Sequence, residues 1–150
     1  MHGYTPLQLS LLAWMFSYWH DSPFSQRMVL LSIPVFFSFW VIALLFFENL
    51  YQFGNFTNPL ASLLLLTIAS FTLLRLHLEK ANVLLRHPGF WVSSGAVIYF
   101  STMIFLQLLS NLLLTESVDL LRAIWSPVQA IASVISNLLF AFSFLCLRFQ

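Results

Sequence analysis

Hydrophobic residues along this chain do not alternate with polar ones; they come in long unbroken blocks separated by short polar punctuation. A bilayer core of about 30 Å takes about 20 helical residues to cross at 1.5 Å per residue. Four blocks meet that length, running approximately from Met28 to Phe47, Pro59 to Leu78, Phe90 to Leu114 and Pro127 to Leu147. A fifth, from Pro6 to Trp19, has 14 residues and reaches only about 21 Å. A block of that length crosses a thinned bilayer, gains a further turn, or lies in the interface. Barrel strands alternate apolar with polar residues at every second position, and runs such as Leu63-Leu64-Leu65-Leu66 do not. With no water to satisfy the peptide groups, helices are the remaining solution. The pattern therefore predicts an all-α fold: a polytopic transmembrane bundle of five helices in a single domain, residues 1–150, with spans near 6–19, 28–47, 59–78, 90–114 and 127–147.

Proline marks the expected helix starts. Five of the six prolines follow a polar residue just ahead of an apolar run, in Thr5-Pro6, Ser22-Pro23, Asn58-Pro59, His87-Pro88 and Ser126-Pro127. The first helical position has no use for the N–H that proline lacks, and a preceding Thr, Ser or Asn can cap the next amides. Pro34 falls inside the second span and predicts a kink there, where a backbone hydrogen bond is lost.

Composition points to the same solvent. The chain is 60% hydrophobic and 7% charged, with a mean hydropathy of +0.89, against roughly 25% charged residues in a soluble domain. Six Lys or Arg and five Asp or Glu cannot cover a folded domain of 150 residues in water. The expected partner is the lipid bilayer. A net charge of +1 gives no reason to expect nucleic acid, and the single Cys146 cannot form an intramolecular disulfide. No cleavable leader is expected, because only His2 precedes the first apolar stretch where a basic region belongs. Glu48 to Gly54 resembles a scrambled protease site and is read as native, since Gln52 and Phe53 stand in the wrong order for cleavage.

The rare cations set the orientation. If all five segments cross, Arg27, Arg75, Lys80, Arg86 and Arg148 fall on one side and Arg122 alone on the other. Lys and Arg accumulate on the cytoplasmic side, so the loop from Leu76 to His87 and the C-terminus are expected inside. The turns around Glu48 to Thr57 and Thr115 to Trp125 are then outside. Trp19, Tyr51, Trp91 and Trp125 lie near span ends, as interfacial aromatics do. Asn55-Phe56-Thr57 matches a glycosylation sequon, but it sits so close to the expected membrane that coincidence is the better reading.

Polar side chains inside the spans are patterned. On the last helix Gln129, Ser133, Ser136, Asn137 and Ser143 fall within about a third of the circumference. The fourth span carries a comparable face of Gly95, Tyr99, Thr102 and Ser110, with Gln107 and Asn111 at its edge. Small and amide side chains let membrane helices approach and bond, at about 0.6 kcal/mol per contact. These two faces are expected to pack on each other, with Tyr99 and Gln129 as a pair. The alternative for the last helix is a polar cavity for a ligand or ion.

Catalytic chemistry finds little to work with. No charge lies at the centre of any span, where ion-coupled transporters and voltage sensors keep one. No H-E-x-x-H, G-x-S-x-G or paired intramembrane aspartate occurs. His20, His77 and His87 fall near the expected inner ends of spans beside Asp21 and Glu79. Two of these histidines as haem ligands, several as a metal site, or the whole set as a lipid-active centre are conceivable. No ligand pair stands at i, i+4 spacing, so structural or solvated histidines, and no cofactor, are the expectation. Arg75 and Glu79, at i, i+4, are expected to pair at a solvated helix end.

The stretch from Asn55 to Asn111 carries Pro88-Gly89-Phe90-Trp91, then Gly95, Ile98-Tyr99-Phe100-Ser101 and Ser110-Asn111. It resembles a family of bacterial multi-spanning membrane proteins with a P-x-F-W, G, Y-F-S, S-N progression. Ser136-Asn137-Leu138-Leu139-Phe140 is similar to the last span of that family. The resemblance covers about two-thirds of the chain and departs from the family at His87, where an acid is usual, and at Thr102, where glycine is. It implies a bacterial inner-membrane location and a relation to the membrane input regions found ahead of histidine kinase domains. The expected role is a non-catalytic sensor or adaptor that passes its signal to a separate cytoplasmic protein, with Arg75, Lys80, Arg86, His87 and Arg148 as contact residues. The alternative is a small accessory subunit of a larger membrane complex, for which 17 phenylalanines supply packing surface.

Overall fold

The computed structural model of the protein describes residues 4–20, 22–46, 57–79, 81–113 and 118–148. They form α1 (Tyr4–Ser17), α2 (Pro23–Phe46), α3 (Thr57–Glu79), a 3₁₀ helix η1 (Ala81–Arg86), α4 (Pro88–Leu113) and α5 (Val118–Arg148). No strand occurs among the described residues. Four helices are long and apolar enough to cross a membrane, over Pro23–Ala43, Thr57–Leu78, Pro88–Ser110 and Ala123–Cys146. The fold is thus the all-helical membrane bundle that the uninterrupted apolar blocks require.

Proline starts a helix where its predecessor can cap it. α2 begins at Pro23 and α4 at Pro88. α1 and α3 begin two residues ahead of Pro6 and Pro59, which still leaves both prolines in a first turn, where no N–H is missed. Ser126-Pro127 is different. α5 begins at Val118 and runs through Pro127 without ending, so the expected start at that proline is corrected, and so is the expected outer turn from Thr115 to Trp125 over Val118–Trp125: Arg122 lies in the helix, while 115–117 lie outside the described residues. Residues 118–125 are themselves largely apolar, and near a membrane a helix satisfies more of their backbone groups than a turn does, outweighing the one hydrogen bond that Pro127 removes. α2 likewise continues through Pro34.

The chain divides into two compact units, residues 1–68 and 69–150. In the first, α1 and α2 pack side by side across a short connection. Leu9, Ala13 and Phe16 are fully buried on one face of α1, and Val29, Phe36 and Ala43 answer with the seven-residue spacing of a packed seam on α2. The Thr5 hydroxyl donates to Asn58 Oδ1 at 2.7 Å, which fixes the starts of α1 and α3 at one end of this unit. Three successive i to i+3 bonds, ending at His20 N–H to the Ser17 carbonyl, continue α1 as a 3₁₀ turn. The addition lengthens α1 to about 27 Å, which is the further turn that its sequence lacked.

In the second unit α4 and α5 form the principal packed pair, and η1 lies against α4. Ser136 bonds Gly95, Trp91 meets Phe142, and Leu85 meets Cys146, so position numbers rise on one helix as they fall on the other. The pair is antiparallel, and the start of α4, η1 and the end of α5 share one end of the unit.

Candidate functional site

The polar arc expected on α5 divides between two directions. Ser136 and Ser143 are buried and Gln129 is half-buried, while Asn137 is exposed and Ser133 lies between them. A period of 100° per residue tells which residues share a face of one helix but not which way that face points. The inward half closes on α4. Ser136 Oγ donates to the Gly95 carbonyl at 2.9 Å, in a fully buried position. A Cβ on Gly95 would lie 2.9 Å from Phe140 Cε1 and 3.2 Å from the Ser136 carbonyl oxygen. Only hydrogen at this position lets the two backbones come so close.

The α4–α5 pairing expected from the sequence is present, and Ser136 and Gly95 make a hydrogen bond across it. The side-chain Oε1 of Gln129 instead accepts from Trp125 Nε1 at 2.8 Å, one turn back in the same helix. Thr102 Oγ1 turns back to the Ile98 carbonyl at 2.8 Å, and the Tyr99 ring stands edge-on to Phe100 at 5.3 Å. On another face of α4, Ser93 Oγ and Gln107 Oε1 are buried without a hydrogen-bond partner.

The second concentration of polar contacts lies where η1 meets α4 and the end of α5. The Leu85 carbonyl accepts from Trp91 Nε1 at 2.8 Å and is approached by the Cys146 thiol at 3.8 Å. The Trp91 ring packs on Phe142 with centroids 5.5 Å apart. His87 caps α4: its Nδ1 accepts from the Gly89 N–H at 3.1 Å, while its carbonyl accepts from Phe90 N–H at 3.0 Å. The nitrogen facing Gly89 must be unprotonated to accept. Loss of this cap in His87→Ala should weaken the first turn of α4 by about 1 kcal/mol, seen as about fivefold faster exchange of the Gly89 amide.

Among the five residues expected to contact a cytoplasmic protein, Arg86 is exposed beside exposed Leu85. Arg75 is half-buried with its guanidinium 5.5 Å from the centre of the Phe71 ring. His87 serves as the cap. Lys80 and the side chain of Arg148 lie outside the described residues, as do Asp21, the side chain of Glu79, and the sequon positions Asn55 and Phe56. Among the described residues no three His, Cys, Asp or Glu come together as a metal would need.

The chain was compared with protein-family models, with curated proteins and with solved structures. Nothing matches.

Sequence reasoning missed the Leu85 carbonyl as a shared acceptor, because a backbone oxygen has no signature in a sequence. Trp91 was legible as an interfacial aromatic and as the end of Pro88-Gly89-Phe90-Trp91. Its position as the fourth residue of α4, six after Leu85, could have suggested that the indole reaches back over the connection.

Proposed function

We propose that this chain is a non-catalytic sensor or adaptor unit of a bacterial inner membrane, crossing five times with its C-terminus in the cytoplasm and acting on a separate cytoplasmic protein. The observation that carries this reading is the build of the end that holds most of the cations. Arg75 lies in the last turns of α3, Arg86 ends η1 and Arg148 ends α5, and η1 meets the start of α4 and the end of α5 there; in the sequence Lys80 stands between α3 and η1. By the accumulation of Lys and Arg on the cytoplasmic side, that end faces inward. There η1 is tied to two helices through one carbonyl, so a shift of α5 along α4 displaces Leu85 and the Arg86 beside it. A small movement between membrane helices would thus be read on an exposed inner surface. The resemblance to membrane input regions agrees with this use, and the 3₁₀ turn that lengthens α1 supports counting it as a crossing.

A photo-crosslinking side chain in place of Leu85, in living cells, tests the role. We expect one cytoplasmic protein to be captured, and Arg86→Glu to reduce its capture several-fold. Crosslinks to lipid alone, or capture indifferent to Arg86, would contradict the reading. The exposed rings of Phe37, Phe39 and Phe105 favour the accessory-subunit alternative to the extent that they suit protein as well as lipid. Mild detergent extraction and native mass measurement separate the two: co-migration with a large membrane assembly supports the subunit, and a free monomer or homodimer opposes it.

A further inference from the structure

The outward half of the α5 polar arc makes no hydrogen bond among the described residues. Asn137 lies near the middle of the Ala123–Cys146 span, is exposed, and has no hydrogen-bond partner among the described residues. Hydrocarbon offers an amide no substitute for water, and a polar group left unsatisfied there is costly. A hydroxyl can find a local answer: Ser38, Thr67 and Ser101, all exposed, each donate to a carbonyl of their own helix. An asparagine amide brings two donors and an acceptor oxygen, and none of the three finds a partner among the described residues of α5, as Gln129 does.

The surroundings of Asn137 are those of a helix-packing seam. Ser126, Ala130, Ser133, Asn137, Ala141 and Phe144 follow one another at intervals of four, three, four, four and three residues, which lines them along one face of the helix. Five of the six are exposed and Ser133 is half-buried. All but Phe144 are small or carry the amide, which allows two backbones to approach. This seam is distinct from the face of Ala132, Ser136 and Ser143 that is buried within the protein.

We propose that α5 is the contact helix of a symmetric dimer, in which Asn137 hydrogen-bonds Asn137 of a second copy across this seam. The chemistry of the amide selects the partner. Two copies inserted with the same topology are related by a two-fold axis along the membrane normal. That axis brings two parallel α5 helices together at the same level, each amide offering its N–H to the oxygen of the other. A single asparagine in such a seam fixes both register and the number of strands.

Energy transfer between donor- and acceptor-labelled protein in phosphatidylcholine vesicles containing phosphatidylglycerol tests the dimer. Cys146, the one cysteine, takes the label and projects on the opposite side of α5 from Asn137, nine residues on, clear of the seam. Transfer should rise with protein density and saturate. Asn137→Leu and Ala141→Ile should each weaken association about tenfold, Asn137→Gln should keep most of it, and Ile131→Ala, on another exposed face, should leave it unchanged. Leucine and isoleucine suit lipid, and helical circular dichroism checks that each variant is folded. Transfer no greater than random proximity would overturn the proposal. So would native-like association of both seam variants, or a native complex holding one copy of this chain with a different protein at Asn137.

Discussion

Replacing Gly95 with leucine separates α4 from α5. Even the first carbon of a side chain meets the Phe140 ring at 2.9 Å and the Ser136 carbonyl oxygen at 3.2 Å. The ring can tilt, but the carbonyl belongs to the α5 backbone and moves only with the helix. Gly95→Ala therefore sets a steric cost of about 1 to 3 kcal/mol against the gain of up to about 1 kcal/mol that alanine brings to a helix, and the net effect is a modest loss. Leucine adds three more carbons with nowhere to go in the packed seam. It should lose the Ser136 bond as well and destabilise the pair by about 3 kcal/mol or more. Unfolding in mixed micelles, followed by tryptophan fluorescence, reads both variants. Ser136→Ala provides the scale, since removal of the hydroxyl alone should cost only about 0.6 kcal/mol.

The second large effect is expected at Trp91. Its indole donates to the Leu85 carbonyl at 2.8 Å and packs on Phe142 at 5.5 Å, so one side chain joins η1, α4 and α5. Truncation to alanine removes both contacts. Because the ring is half-buried, the loss should fall below the cost of a fully buried tryptophan, at about 2 to 3 kcal/mol. Trp91→Phe keeps the packing and loses the N–H, for about 1 kcal/mol. In Trp91→Ala the amides of η1 should exchange at least tenfold faster while the middle of α4 stays protected. If η1 exchanged no faster, the Leu85 carbonyl would not be what holds it.

The architecture was legible because a membrane helix must be long and apolar, and both properties are read directly from α2, α3 and α4. Their observed limits differ from the expected ones by a few residues. α5 was misread at its start because Ser126-Pro127 satisfies the same local rule as Ser22-Pro23; what distinguishes them is the apolar stretch from Val118 to Trp125, which extends the helix backward. Direction was the other gap. Periodicity grouped Ser136 with Asn137, only 100° apart, and the position of α4 turned one inward and left the other outward. The η1 connection was unreadable because its shape comes from a cap at His87 and an indole at Trp91 acting on a backbone oxygen.

The topology proposed for this helical membrane bundle puts its η1 end in the cytoplasm. Thiol labelling in intact cells tests this most directly, with a membrane-impermeant maleimide and single cysteines placed by Arg86→Cys or by Asp119→Cys, which lies in α5 ahead of the Ala123–Cys146 span, in a Cys146→Ser background. The expected result is that Asp119→Cys labels from outside and that Arg86→Cys labels only after the membrane is opened. Labelling of Arg86→Cys in intact cells, or of both positions from the same side, would contradict it.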